Sequence, residues 1–200
     1  MTDAAEGVRI DGRIARSQRT RDAIVDACIA LVEAGDYRPT APRIAEAAGV
    51  SERSVFQHFD DLESLFTAVA ERAVERVSML LVPVDPDLEL NERIGLFVRQ
   101  RSQLFEAVWP IRRAAAAQEP FADTIGRWLD LAATFLRAEV VHTFGVEVSV
   151  DEFADVRLEA LDSALGWSTW DGLRRRSKLD VDRAVATVCF SVVQILAPAR

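Results

Sequence analysis

The residues best suited to chemistry lie in one run of twenty, TAPRIAEAAGVSERSVFQHF, at positions 40–59. Two short apolar patterns, around Ile44 and Val55, are separated by Gly49, and this is the spacing of a helix-turn-helix. Ser51 stands directly before the second pattern and is a residue type that caps helices. The polar residues that follow would face solvent, and they belong to the types that contact bases and phosphates. The run therefore predicts a nucleic-acid-binding helix.

The polar side chains of this second helix have distinct partners on DNA. Arg53 can form a bidentate pair with guanine, Glu52 can accept from the amino group of cytosine, and Gln57 can contact adenine or a phosphate. One good bidentate pair discriminates between bases by about 1–3 kcal/mol. Just upstream, residues 9–21 contain five arginines and one acid, a net charge of +4. That segment is placed to contact phosphates, which position a protein on DNA without selecting a sequence.

The composition limits the class of protein. The chain has 200 residues, of which 50% are hydrophobic and 28% charged, and a formal net charge of −8. A globular chain of this size needs no metal or disulfide to hold a core, and its acidity argues against a non-specific polyanion binder. Cys28 and Cys189 lie in separate apolar stretches, which is typical of reduced core cysteines in a cytoplasmic protein. No apolar run is long enough to cross a membrane.

Apolar residues recur with helical periodicity along nearly the whole chain, so the predicted fold class is all-α, with about nine helices. The first helix is expected from about residue 19 to 34. A capping pattern at Asp60 and Glu63 predicts the start of a fourth helix that continues towards Pro83. Pro110 is expected to end the fifth helix before a short alanine-rich sixth, and Gly145 to end the seventh.

Aromatic residues cluster in the fifth to seventh predicted helices, where they could line an apolar site for an unknown small-molecule effector. Ordinary core packing is the alternative. The candidate ligand-binding residues are Phe97, Arg101, Phe105, Trp109, Trp128 and Phe135. Arg101 interrupts an apolar stripe, so it either reaches water, presents a cation to an anionic ligand, or pairs with Glu139.

The last two predicted helices are apolar on more than one side, and such helices are buried against something. A helix-pair interface with a second copy of the chain is one interpretation, and an intramolecular core is the alternative. The candidate interface residues are Leu161, Leu165, Val185, Val188 and Val192.

The N-terminal third of the sequence resembles the tetracycline-repressor (TetR) family of bacterial transcription regulators. The resemblance is dense over residues 19–70, and it is carried by residues 24–31, Gly35, Thr40, residues 44–51, residues 55–59 and Leu65. It implies a homodimer with an N-terminal DNA-binding domain and an all-helical body that binds ligand and dimerises. Together with the upstream arginines, the candidate DNA contacts are Arg16, Arg19, Thr40, Arg43, Ser51, Glu52, Arg53, Ser54, Phe56, Gln57 and His58.

The chain departs from the family pattern at three positions. Phe56 stands where tyrosine is usual, Leu62 where lysine is common, and Pro42 where a residue facing DNA is frequent. Each change removes a phosphate contact that the resemblance would otherwise imply. Arg43, His58 and the upstream arginines would then contribute more of the binding.

The predicted organisation is a flexible basic arm at residues 1–18, a helix-turn-helix DNA-binding domain at 19–60, and a helical effector-binding and dimerisation domain at 61–200. The expected function is a ligand-responsive transcription repressor that binds a near-palindromic DNA operator as a homodimer and is released by a small molecule. The alternative is an all-helical small-molecule-binding protein or enzyme that retains the fold without operator binding. Because no catalytic, cofactor or metal-ligand motif is present, no enzyme activity, cofactor, metal or membrane partner is expected.

Overall fold

The computed structural model describes residues 3–149 and 152–197 of the chain. Within these ranges the regular structure is entirely helical, and the predicted all-α class is confirmed. The α-helices are α1 (Asp3–Glu33), α2 (Ala41–Ala48), α3 (Glu52–His58), α4 (Leu62–Val77), α5 (Leu90–Gln118), α6 (Asp123–Val148), α7 (Ala154–Ala164), α8 (Trp167–Asp171) and α9 (Val181–Leu196). Short 3₁₀ turns follow α4 and α5, and a π-helical turn, Gly172–Arg176, follows α8. In the part of the chain described, no helix is long and apolar enough to cross a membrane.

Helix α1 begins at Asp3 rather than near residue 19, so most of the segment expected to be a flexible arm is helical. Apolar periodicity reveals a helix only where one face is buried, and every residue from 12 to 19 is exposed. The additional turns consist mainly of residues with adequate helix propensity and contain no proline.

Helices α5 and α6 continue through the residues that were expected to end them. Pro110 lies inside α5, so the predicted short sixth helix is the final part of α5. A proline removes one backbone hydrogen bond, and the turns on either side can carry the helix past it. Gly145 lies inside α6, where glycine lowers helix stability by about 1 kcal/mol relative to alanine without ending the helix.

The chain forms two compact units. The first consists of Met1–Glu75 and Pro110–Trp128, and the second of Arg76–Trp109 and Leu129–Arg200. The core of the first unit includes Ile24, Cys28, Ile44, Val55 and Leu65. The core of the second includes Phe97, Phe144, Leu161, Trp170 and Val192. The sequence predicted a single division after residue 60, whereas the first unit also includes the end of α5. Sequence order alone cannot assign that later segment to the first unit.

Four of the five predicted dimer residues are buried within the second unit. Leu161 and Val192 are fully buried in the second unit, Leu165 is 2% and Val188 5% exposed, and Val185 is half-buried. The four buried side chains pack in the chain's own core, as the intramolecular alternative expects, whereas half-buried Val185 stays a prediction. The sequence shows that α9 is apolar on both sides, but it does not show which side faces inward. The outward side of α9 carries Phe190, which is 68% exposed, and Val193, which is 38% exposed.

Candidate nucleic-acid interface

The turn between α2 and α3 has the geometry that its sequence predicts. Gly49 adopts φ +67°, a left-handed conformation that favours glycine, and the backbone N–H of Val50 donates to the carbonyl of Ala45 at 3.0 Å. Ser51 then caps α3, because its Oγ accepts a hydrogen bond from the backbone N–H of Ser54 at 3.1 Å. Thr40 occupies the N-cap position of α2, but its side chain makes no capping hydrogen bond.

Helix α3 is oriented by a single buried residue within it and by a second just beyond its end. Val55 is 1% exposed and packs in the first core with Ile24 of α1 and Ile44 of α2. Phe59, which ends the helix, is 4% exposed. Because these contacts fix one side of α3, its opposite side must face solvent.

The structure brings the predicted contacts of α3 together on that opposite side. Glu52, Arg53, Phe56 and Gln57 are exposed at the spacing of one helical face, and Ser51 begins it. Ser54 and His58 flank this face and are half-buried. Phe56 is 47% exposed, so it has no core role and its ring is available to a methyl group or a sugar. We call residues 51–54 and 56–58 the α3 face.

Arg43 on α2 is exposed, but it has an acidic neighbour that the sequence analysis did not identify. Its Nη1 lies 2.7 Å from Oδ2 of Asp36 in the turn between α1 and α2. The other oxygen of Asp36 accepts from the backbone N–H of Arg38 at 3.3 Å. A DNA phosphate would therefore compete with a carboxylate for Arg43, whereas Arg53 has no acidic partner among the described residues.

The end of α5 holds the turn between α1 and α2. Nη1 of Arg113 donates to the hydroxyl of Tyr37 at 3.0 Å, and the guanidinium lies 4.7 Å from the centre of the Tyr37 ring. In the same turn, Nη2 of Arg38 donates to the carbonyl of Ala117 at 3.0 Å. No local pattern in the sequence indicates these contacts, because the partners are more than 70 residues apart.

The start of α4 is also fixed within the first unit, one residue later than predicted. Asp61 and Ser64 cap each other: the Asp61 carboxylate accepts from the Ser64 N–H at 2.7 Å, and the Asp61 N–H donates to Ser64 Oγ at 3.3 Å. Glu63 is thereby released from the expected capping role and accepts from the backbone N–H of Thr124 at 3.0 Å. On the next turns of α4, Arg72 binds Asp22 and Asp26 of α1 at 2.9 and 3.0 Å.

The predicted DNA contacts on α1, Arg16 and Arg19, are exposed. Nε of Arg19 donates to the carbonyl of Ala15 at 3.3 Å. Further along the helix, the guanidinium of Arg21 stacks on the ring of Phe59, 4.8 Å from its centre. This contact places α1 beside the C-terminal end of α3.

The predicted ligand-binding residues do not all lie in one unit, although Arg101 stacks on the Phe97 ring, 4.8 Å from its centre. Phe97 and Phe105 lie in the core of the second unit, Trp109 is half-buried there, and Phe135 is 48% exposed. Trp128 belongs to the first unit. Core packing, the alternative weighed from the sequence, is what the structure shows for Phe97 and Phe105.

Arg101 has the protein partner that the sequence analysis considered. Its Nη2 lies 3.3 Å from Oε2 of Glu139 and 3.1 Å from the carbonyl oxygen of Leu136. Burial lowers the pKa of Arg101 to about 10 and raises the pKa of Glu139, and their mutual attraction opposes both shifts. Because the Glu139 carboxylate lies beside the Arg101 guanidinium, the cation has an acidic partner within the protein and needs no anionic ligand to balance it.

Besides Glu139, the second unit contains another partly buried carboxylate, Glu106, which the sequence patterns did not indicate. Burial favours a higher pKa for Glu106, but hydrogen bonds from Arg174 at 2.8 and 3.1 Å and from the Trp170 indole N–H at 2.9 Å lower it below its usual value. Arg174 also lies 5.9 Å from the centre of the Trp109 ring. The candidate residue Trp109 is therefore packed beside an ion pair.

Comparison with known proteins adds a family and a fold. Residues 24–69 match the family model described as bacterial regulatory proteins, tetR family. No curated protein matches the chain in sequence. Among solved structures, a transcriptional regulator from Rhodococcus sp. Rha1 has a TM-score of 0.68 at 16% identity, over 90% of this chain and 95% of that one.

Two further structures agree. A TetR-like transcriptional regulator from Rhodococcus sp. RHA1 has a TM-score of 0.59 at 21% identity, over 90% of this chain and 94% of that one. The multidrug binding protein EbrR, solved with imidazole, has a TM-score of 0.61 at 17% identity, over 90% and 96%. The predicted resemblance is therefore confirmed: residues 24–69 have the sequence of the TetR family of bacterial regulatory proteins, and the chain has the fold of TetR-family regulators.

Proposed function

We propose that this protein is a DNA-binding transcription regulator that recognises base pairs with the α3 face. One observation carries the proposal: within the segment that matches the family, α3 is anchored by Val55 and leaves Arg53 exposed without an acidic partner. An exposed arginine at the start of a recognition helix can enter the major groove and bind guanine. The proposed contacts to the DNA backbone are made by Thr40, Arg43, Arg16 and Arg19.

We further propose that the protein is a repressor that binds a near-palindromic operator as a homodimer. Support for a second copy comes from the outward side of α9, where Phe190 and Val193 form an apolar face at the end of the second unit. A two-fold dimer presents two α3 faces one helical turn of DNA, or a multiple of it, apart, and its two-fold symmetry makes the preferred operator palindromic.

We also propose that a small-molecule effector binds the second unit and releases the DNA. The structural relative EbrR is described as a multidrug binding protein, which supports a helical body with this role. Phe135, which is 48% exposed, is the candidate least committed to the core, and Arg101 is occupied by Glu139. An effector acts by preferring the state that does not bind DNA, and such coupling is typically worth about 1–3 kcal/mol.

The test is a selection of random duplexes by the purified protein at two salt concentrations, followed by sequencing of the bound pool. We expect an enriched palindrome whose half-site spacing reports the dimer. Replacing Arg53 by alanine should relax selection at one position of each half-site and weaken binding by about 1–3 kcal/mol. Replacing Arg43 should weaken all sequences alike and reduce the slope of log K against log salt by about 1 per protomer.

Arg99→Ala is the matched control, because Arg99 is an exposed arginine of the second unit and its loss changes net charge equally. It should bind as the parent does. If Arg53→Ala selected the same site with the same affinity, the α3 face would not be the recognition surface. If the parent enriched no duplex at either salt concentration, the alternative of a helical ligand-binding protein or enzyme would be preferred.

A further inference from the structure

The carboxylate of Asp36 occupies the position beside Arg43 that a DNA phosphate would need. Nη1 of Arg43 lies 2.7 Å from Oδ2 of Asp36. The side chain of Arg43 is 59% exposed, whereas that of Asp36 is 20% exposed. The arginine is therefore the partner that can turn towards DNA, and the carboxylate is the partner that stays.

The backbone of Asp36 is fixed by the cap that ends α1. Gly35 adopts φ +95°, a left-handed conformation. The backbone N–H of Asp36 donates to the carbonyl of Leu31 at 3.0 Å, and that of Gly35 donates to the carbonyl of Val32 at 3.0 Å. This pair of bonds is a Schellman motif, which sets the direction in which the chain leaves a helix. The position of Asp36 is thus determined by α1.

The two residues after Asp36 are held as well. Tyr37 and Arg38 are each hydrogen-bonded to the end of α5 at 3.0 Å. Oδ1 of Asp36 also accepts from the backbone N–H of Arg38 at 3.3 Å. Because the backbone is held on both sides of Asp36, its carboxylate cannot follow Arg43 when the arginine turns outward.

Separation of the pair leaves one oxygen of Asp36 without a partner. Oδ2 is shielded from solvent and, within the described part of the chain, accepts no hydrogen bond. The guanidinium of Arg43 beside it is the cation that balances its charge. A shielded carboxylate oxygen that loses its cation is stabilised only in part by water. Binding of Arg43 to a phosphate is therefore opposed by the loss of its pairing with Asp36.

We infer that Asp36 limits the affinity of this protein for DNA, because its carboxylate competes with a phosphate for Arg43. Asp36 is a positioning residue that acts through Arg43. The inference rests on the proposed function and deepens it, because it names the group that regulates one of the proposed backbone contacts. Since phosphates carry no sequence information, Asp36 should lower the affinity for every duplex and leave the selected operator unchanged.

The first variant is Asp36→Asn, which removes the charge and keeps an oxygen that can accept from the Arg38 N–H. Because an exposed ion pair contributes little, binding should become tighter by about two- to fivefold for each protomer. Asp36→Ser should give a similar gain, since a serine hydroxyl can accept the same hydrogen bond. Damage to the fold weakens binding, so a gain in affinity is not a result that a purely structural role of Asp36 produces.

Glu46→Gln is the matched control. Glu46 is an exposed acid on α2, one turn from Arg43, and its loss changes net charge equally. It should tighten binding only through the general decrease in negative charge. That smaller gain should be the same whether position 43 is arginine or alanine.

A double-mutant cycle with Arg43→Ala tests whether Asp36 acts through Arg43. Affinities are measured at one salt concentration on the selected operator and on a scrambled duplex of equal length. In the Arg43→Ala background, the gain from Asp36→Asn should fall to that of Glu46→Gln. The gain in the parent background should be equal on the two duplexes, and circular dichroism should show the same helical content in every variant.

The outcomes separate this inference from the proposed function. If neither Asp36 variant bound more tightly than Glu46→Gln, the inference would be overturned. It would also be overturned if the full gain persisted with Arg43→Ala, because Asp36 would then act on DNA directly. In both cases Arg53→Ala should still relax selection, and the proposed function would stand. Failure of the parent to enrich any duplex would overturn both proposals.

Discussion

The contact between Tyr37 and Arg113 should stabilise the helix-turn-helix although neither residue belongs to it. Tyr37 lies in the turn that leads into α2, and Arg113 lies near the end of α5. Replacing Tyr37 by phenylalanine removes the acceptor of the 3.0 Å hydrogen bond and keeps the ring beneath the guanidinium. Replacing it by leucine removes both interactions.

The magnitude follows from the two interactions. A hydrogen bond from a charged donor contributes about 1.5–3 kcal/mol, and we take about 1 kcal/mol because both side chains are partly exposed. A cation over an aromatic face at a partly exposed site adds about 0.5–1 kcal/mol. We therefore expect losses of about 1 kcal/mol for Tyr37→Phe and about 2 kcal/mol for Tyr37→Leu. For a protein of this length, 2 kcal/mol corresponds to a decrease in Tm of about 4–8 °C.

The assay is a double-mutant cycle in urea, followed by circular dichroism. Arg113→Met keeps the aliphatic part of the side chain and removes the charge. The coupling between Tyr37→Leu and Arg113→Met should be about 1–2 kcal/mol, because the double variant loses the same interaction only once. Losses that add to within about 0.3 kcal/mol would show that the two side chains do not stabilise each other, and the reasoning would be refuted.

Two further predictions concern buried groups. Burial, with a smaller contribution from Asp36, raises the pKa of Cys28 from 9.0 to about 12. Only the unfolded chain loses this proton between those values, so the free energy of unfolding should be unaffected below pH 9 and fall above it by up to about 1.4 kcal/mol per pH unit. Urea unfolding between about pH 8 and 10.5 should show this slope in the parent and a smaller one in Cys28→Ala, and equal slopes would contradict the assignment. Arg101→Met should lower the free energy of unfolding by about 2–3 kcal/mol because it leaves Glu139 partly buried without its partner. Adding Glu139→Leu should restore most of the loss. An unchanged Tm in the single variant would mean that the pair does not stabilise the fold.

Features governed by near neighbours in the chain could be predicted well. The turn at Gly49 and the Ser51 cap depend on interactions within four residues, and the sequence displays them directly. The last helix, α9, could be predicted because its apolar run is long. The same reasoning failed for the start of α1, because an exposed helix has no buried stripe to detect.

Features that depend on distant neighbours were decided only by the tertiary structure. The sequence indicated that Arg101 needs a partner, and folding selected Glu139 from the alternatives. It indicated that α9 is apolar on both sides, and packing decided that Val188 and Val192 face the core while Phe190 faces out.

The sequence by itself determined that this is an all-α protein with a helix-turn-helix whose second helix presents Arg53 to solvent, since helical period, glycine and capping act locally. Only the tertiary structure decided that Tyr37 is held by Arg113, that Glu63 accepts from Thr124, and that Ile24 of α1 packs against α2 and α3. The physical reason is that local rules act over one or two helical turns, whereas these contacts require segments far apart in the chain to meet.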